Sequence, residues 1–348
     1  MGSFYQSHLG ELAAMATALL WTLSALAWTS AGRRIGALAV SFDRLLMALA
    51  LLMGYWRIVA GQWLPWDMTP RTWAILLVSG FFGFFIADLC IFKAFLIIGP
   101  RLTLLMQSIT PPAVAIMARC YLGDALGIWN WLGMAVTLGG VVWVVLEQQE
   151  SPKEKHHRKD FAWGIILAAG SAIFGGVAQV LSAEAFRSNT GGNLDPFAVT
   201  LVRVLGGLVC YFPLLTMTGR WRQIGKSMLH RRAMLIAAFG SIVGPFLGVA
   251  ANMKALELCT PGVVSTIINT TPVLILPFVI FVYKEKVSPR AAIGAMISVL
   301  GVAVLMWNEN PKPEVPKSSA QTAVSRQNDI PQSREGEAPA EPLEQRSA

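Results

Sequence analysis

Two stretches decide how this chain is read: Lys93–Pro100, KAFLIIGP, and Lys254–Pro261, KALELCTP. They lie 161 positions apart. The same offset runs on without a gap in both directions, laying Gly83–Val141 on Gly244–Val302. Thr110 and Pro111 fall on Thr271 and Pro272, Asp124 on Glu285, Gly133 on Gly294, and Gly140-Val141 on Gly301-Val302. Apolar sequences match one another easily by chance. A gap-free register that keeps two prolines, a lysine, an acidic turn residue and two glycines does not arise that way. The chain is therefore read as two related halves.

Of its 348 residues, 54% are hydrophobic and only 14% are charged, where a soluble domain carries about 25% charged residues. So apolar a chain cannot hide its side chains in a water-soluble core, and the class is a polytopic membrane protein. The net charge of +8 is no nucleic-acid signal, because the basic residues sit in short clusters between apolar runs, as orientation charges do. The cysteines (Cys90, Cys120, Cys210, Cys259) are dispersed in apolar runs without metal or redox spacing and read as small packing residues. The first apolar run, Leu9–Trp28, reads as a span rather than a cleaved leader: it is long, lacks a basic start and has a counterpart in the second half.

A span needs about 20 mostly apolar residues to cross a ~30 Å hydrocarbon core. Ten candidates lie near residues 10–30, 37–56, 73–97, 101–121, 128–146, 161–183, 196–217, 233–257, 262–283 and 289–307. Pro100 and Pro261 fall at hairpin turns between spans. Pro111-Pro112 and Pro272 fall inside spans 4 and 9, where each frees a carbonyl one turn back and predicts a kink. Arg44, early in span 2, matches Arg203, early in span 7, at an offset of 159, so the repeat unit is five spans. Two directly joined copies of an odd-numbered unit enter the membrane from opposite sides. The predicted fold is an all-α membrane protein of ten transmembrane helices in two inverted five-helix repeats, an architecture of secondary transporters. Residues 1–150 form the first repeat and 151–308 the second, led by a charged linker. Residues 309–348, rich in Pro, Ser, Glu and Gln, read as a disordered tail.

The motif order is an Arg early in the second span, then AFLIIGP (94–100) and ALELCTP (255–261), then a Pro (Pro111, Pro272) inside the next helix. Leu122-Gly123-Asp124 and Tyr283-Lys284-Glu285 follow, then helices carrying Gly133 and Gly140 or Gly294 and Gly301. This order, present twice, resembles the EamA-type transporters of the drug/metabolite transporter superfamily over residues 8–307. The resemblance implies a ten-helix carrier of small metabolites, often an exporter, with a central cavity lined by helices 1, 3, 4, 6, 8 and 9. Asp124 stands where the family usually has Glu, a conservative departure.

An ionisable group inside a span costs about 2.5–3.5 kcal/mol at the helix centre and is a functional candidate by default. Asp88 is the only carboxylate well inside a span. It reads either as a proton or cation site or as the internal partner of Lys93 or of an Arg on a neighbouring span. Lys93 and Lys254, matched by the repeat, either contact an anionic substrate or, the favoured reading, snorkel to the headgroups. Arg44 and Arg203 lie roughly 10 Å inside the membrane, at ~1.5 Å per residue. Structural anchoring is favoured over substrate contact for both, with Asp43 a further partner for Arg44. Neutral polar residues cluster around the kink prolines: Gln107 and Ser108 in span 4, Asn269, Thr270 and Thr271 in span 9, with Asn252 in span 8, Gln179 in span 6 and Trp21 in span 1. Taken together they predict a midplane binding surface beside freed carbonyls. The glycines spaced seven apart in spans 5 and 10 predict close helix packing, within the monomer or in a homodimer.

Loops on one side of the ten-span arrangement hold fifteen Lys and Arg against four on the other. The positive-inside rule then places the termini on the non-cytoplasmic side of a plasma or inner membrane. There is no Walker loop, His156-His157 is a solvated pair, and neither a cofactor nor an enzymatic constellation is expected. The predicted function is secondary or facilitative export of an amino-acid-like or organic-anion metabolite by alternating access. Expected partners are the substrate, the bilayer and, if transport is proton-coupled, a proton on Asp88. The first helix offers only Glu11 at its start, and span 6 only Glu184 at its end. Export of quaternary amines, a non-transporting scaffold and a membrane-embedded enzyme are the rivals.

Overall fold

The computed structural model describes residues 8–124, 126–147, 158–189, 194–271, 273–274 and 289–307. Pro272 and the 309–348 segment lie outside these described residues. Every regular element within them is helical. The first half comprises α1 (Leu9–Ile35), α2 (Ala37–Ala60), α3 (Pro70–Gly80), a π-helical stretch Phe81–Ala87, α4 (Asp88–Gln107), α5 (Thr110–Leu122) and α6 (Ile128–Glu147). The second comprises α7 (Arg158–Ser188), α8 (Pro196–Thr218), α9 (Trp221–Leu229), α10 (Arg231–Ser241), a π-helical stretch Ile242–Gly248, α11 (Val249–Leu258), α12 (Pro261–Ile268) and α13 (Pro289–Trp307).

Local chemistry sets the ends. Thr69 accepts from Thr72 N–H with Pro70 at the first helical position of α3. Asp195 accepts from Phe197 and Ala198 N–H ahead of Pro196 in α8. Gly61, Gly123 and Gly219 end α2, α5 and α8 in the left-handed conformation that costs glycine least. Among the described residues, six segments are long and apolar enough to cross a bilayer: Leu9–Gly32, Leu38–Ala60, Pro70–Ala94, Phe161–Ser188, Pro196–Thr218 and Arg231–Leu258. α6 and α13 add the shorter apolar stretches Ile128–Trp143 and Ile293–Val304.

The duplication is visible in the backbone. α3 and α10 begin and end 161 residues apart, and so do the two π-helical stretches, 81–87 and 242–248. The helix breaks at Ser108–Ile109 and again, 161 residues on, at Asn269–Thr270.

The two hairpin turns differ. In the second half the chain leaves the helix at Cys259 and Thr260, and Thr260 takes the extended conformation that the Cβ of a residue before proline favours. In the first half Gly99, with no Cβ, precedes Pro100, and the backbone stays helical through the proline. The order of its contacts with α7 nonetheless reverses across this segment. Ser79 bonds Ala178, and a Cβ on Gly164 would meet Ile97 and Ile98; Gln107 then bonds Ser171, and Arg187 bonds Asp124. The chain thus runs first down α7 and then back along it.

Bare backbone carries the closest helix contacts. A Cβ on Gly206 would lie 2.4 Å from the Leu77 carbonyl oxygen, and one on Gly80 would meet the Arg203 backbone, so α3 and α8 cross in direct contact. α6 and α13 meet along their glycines: a Cβ on Gly140 would lie 2.4 Å from Ser298 N, and one on Gly301 2.4 Å from Thr137 N. The central core joins the halves, packing Leu45, Leu76, Val202, Tyr211, Met253 and Val263 between α2, α3, α8, α11 and α12.

Candidate functional site

The centre of the molecule is built where helical hydrogen bonding is irregular. Pro111 and Pro112 have no N–H to give to Gln107 and Ser108, and the helix stops just before them. Pro272 likewise leaves the Ile268 carbonyl, to which the Thr271 hydroxyl donates at 2.7 Å. The Thr270 hydroxyl donates to the Ile267 carbonyl at 2.7 Å. In the first half Thr110 donates to Gln107 Oε1 at 3.3 Å, and Gln107 Nε2 donates to Ser171 on α7 at 3.2 Å.

The π-helical stretches are met by side chains from other spans. Tyr211 O–H donates to the Phe84 carbonyl at 3.3 Å, and the Thr17 hydroxyl lies 3.3 Å from the Gly248 carbonyl oxygen. Gly83 lets the Ala178 methyl approach, and Gly244 lets Ser24 and Trp28 approach in the corresponding place. π-Helical turns inside α-helices occur frequently at functional sites. Some of the expected polar residues keep unused hydrogen-bonding capacity. Ser108 Oγ, Gln179 Oε1 and Asn252 Oδ1 are buried without a hydrogen-bond partner among the described residues. Asn269 is half-buried, and Trp21 is half-buried against Gly248. Two concavities open at the surface, one lined by Arg34 and α9, the other apolar between α1 and α10; neither is lined by these residues.

Two buried arginines, Arg44 in α2 and Arg203 in α8, each lie about 10 Å from the start of their helix, at ~1.5 Å per residue. Arg44 is 5% exposed and forms an ion pair with Asp88. Its guanidinium lies 4.6 Å from the Trp28 ring centroid and 5.8 Å from that of Phe92. Asp43 does not assist. Adjacent helical residues point to different faces, and Asp43 faces Ser227 at 2.7 Å instead. Arg203, 4% exposed, donates from Nε to Ser79 Oγ at 2.9 Å and from Nη1 to Met253 Sδ at 3.2 Å. Its guanidinium lies 5.2 Å from the Phe84 ring. The repeat explains the difference. Phe92 corresponds to Met253, but Asp88 corresponds to Val249. No carboxylate among the described residues lies within ion-pair range of Arg203. Lys93 is exposed on α4, and Lys254 pairs with Glu257 one turn on at 2.8 Å.

Ser79, Thr17 and Tyr211 were missed by sequence reasoning. Tyr211 carried a signal: a tyrosine mid-span, away from the interfacial belt, must find a buried partner for its hydroxyl. Ser79 lies one turn before Gly83 on the same helix face, a small-residue pair that admits a neighbour.

The EamA-like transporter family model matches residues 8–146 and again 162–307, once per half. The chain belongs to the EamA-like transporter family. It is a multi-pass integral membrane protein of the drug/metabolite transporter superfamily. A solved structure titled "Crystal structure of protein" is similar in fold, with a TM-score of 0.65 at 18% identity over 85% of this chain and 94% of that one. No curated protein matches. The first match ends before residues 147–161 and the second begins after them, so each half carries its own match.

Proposed function

We propose that this EamA-like transporter moves a small organic anion or zwitterionic metabolite by alternating access, as a secondary or facilitative exporter with ten spans in two inverted halves. The observation that carries this reading is the paired break. Spans 4 and 9 are interrupted at the same register, beside proline and amide or hydroxyl side chains. Discontinuous helices facing each other across a repeat interface are how transporters place a midplane site. A break in each half lets either half rock while the other holds the substrate. The substrate class rests on Arg203, a buried cation without a carboxylate partner among the described residues, whereas Asp88 is already engaged by Arg44. Asn252, Asn269, Ser108 and Gln179 would supply the neutral contacts.

Loop contacts support the ten-span arrangement. Arg187–Asp124 and Arg71–Glu184 join segments that it places on one side, while Gln223 to the Ile35 carbonyl and Ser227 to Asp43 join segments of the other. The excess of Lys and Arg on the second side would then face the cytoplasm, leaving the termini outside.

The test is the melting temperature of detergent-purified protein against amino acids, organic acids, sugars, nucleosides and quaternary amines. A ligand binding only the folded state stabilises by about 2.7 kcal/mol at 100 Kd. An organic acid or amino acid is expected to raise the transition, and Asn269→Ala to abolish the shift. Arg203→Met should abolish it too while leaving the unliganded transition within a few degrees of wild type, because it removes a buried charge that has no carboxylate to strand. A shift with quaternary amines alone would establish the drug-export alternative. No shift with any compound, beside a control transporter that responds, would establish the scaffold.

A further inference from the structure

We propose a phosphate-binding cleft, distinct from the central layer, that holds the headgroup of an anionic phospholipid. It lies where the turn after α1 meets the short helix α9, and it encloses about 580 Å³ between Arg34, Arg222, Gln223, Lys226 and His230, with Ile35 and Ser227 at its floor. Three permanent cations line it and no carboxylate does. Asp43, bonded to the lining residue Ser227, is itself buried, and the lining keeps an excess of positive charge. His230 accepts the Ala233 N–H at Nδ1. In the neutral ring this leaves the proton on Nε2, a further donor.

The cleft is held in shape. Ile224 and Ser227 on the inner face of α9 are buried. Trp221 is edge-on to Phe42 at 6.0 Å and bonds Thr216. Gln223 Nε2 reaches the Ile35 carbonyl at 3.5 Å. Gly36, at φ 87°, makes the turn under it, and a Cβ there would lie 3.0 Å from Gln223 Nε2.

Its position selects a lipid over a free anion. Leu229 is 82% exposed at the end of α9, and Met217 is 87% exposed at the end of α8. Such apolar side chains belong against acyl chains, while Arg231 and Arg232 just beyond are exposed and basic. The cleft therefore sits at headgroup level on the side rich in Lys and Arg, where basic pockets between spans take anionic headgroups. With one basic wall on α1–α2 and the other on α9, a bound phosphate ties the two halves together at this end.

The full-length chain, purified and reconstituted in nanodiscs of phosphatidylcholine alone or of phosphatidylcholine with phosphatidylglycerol, tests this by melting temperature and by native mass spectrometry of retained lipid. Phosphatidylglycerol is expected to raise the transition by several degrees and to be retained preferentially. The Arg34→Gln/Arg222→Gln/Lys226→Gln variant should lose both effects while melting like wild type in phosphatidylcholine. Arg222→Gln alone should lose part of each. If wild type and the triple variant respond equally to phosphatidylglycerol, the proposal fails. If inorganic phosphate in phosphatidylcholine nanodiscs reproduces the whole shift, the ligand is the free anion and the lipid assignment is overturned.

Discussion

Asp88→Asn is expected to destabilise this protein by about 3–5 kcal/mol, because it leaves Arg44 charged and buried with no counter-charge. Arg44 is 5% exposed, and the rings of Trp28 and Phe92 beside it cannot replace a carboxylate. The pair also ties α2 to the start of α4, just after the π-helical stretch, so its loss loosens the first half where the backbone is least regular. The check is the apparent melting temperature of detergent-purified variants. Asp88→Leu combined with Arg44→Met removes both charges and should recover at least half of the loss, since the cost lies in the stranded charge rather than in the missing bond. If the double variant is as unstable as Asp88→Asn, the ion pair is not the source. Should Asp88→Asn melt normally yet lose the ligand-induced shift, the carboxylate would belong to the substrate site.

Gly140→Val is expected to cost at least ~3 kcal/mol, comparable to or larger than ordinary overpacking of a core. Its Cβ would lie 2.4 Å from Ser298 N and 2.6 Å from the Gly294 carbonyl oxygen. Both are backbone atoms of α13, so no side chain can swing away and the helices must separate. With no hydrophobic drive between helices in lipid, close van der Waals contact is what holds such a pair, and separation forfeits it. Gly139→Val is the control on the adjacent face, where nothing lies within 4 Å of the added Cβ. A marked loss of melting temperature for Gly140→Val against little change for Gly139→Val checks the assignment. Equal behaviour of the two would mean that the α6–α13 contact does not contribute to stability. The matching change, Gly301→Val, should behave like Gly140→Val, because it meets Thr137 N at the same 2.4 Å.

Much of the fold was legible because membrane insertion and helix breaking are local matters. Hydropathy over about 20 residues marks a span whatever it packs against. Proline removes a specific hydrogen bond, so the breaks at Ser108–Ile109 and Asn269–Thr270 could be placed from Pro111 and Pro272 alone. The paired π-helical stretches were not legible. Phe81–Ala87 and Ile242–Gly248 share only Gly83/Gly244 and Phe85/Phe246, and the proline of the second, Pro245, has no counterpart in the first. The helical continuity through Pro100, against the clean break at Thr260, was not legible either.

By itself the sequence determined the duplication and the family, because an in-register repeat of prolines, glycines and charges survives in one dimension. Which buried charges meet was decided only by the tertiary structure. From the chain alone, Asp88 could face Lys93 or an arginine, and Arg44 could turn to its neighbour Asp43. Helix rotation instead aims Arg44 at Asp88, Asp43 at Ser227 and Arg203 at Ser79 and Met253. The reason is physical. Side chains four residues apart share a face by covalent geometry, but a contact between separate helices depends on how each is rotated and how closely its glycines let the other approach. Packing of the whole bundle sets both quantities, and no single segment encodes either.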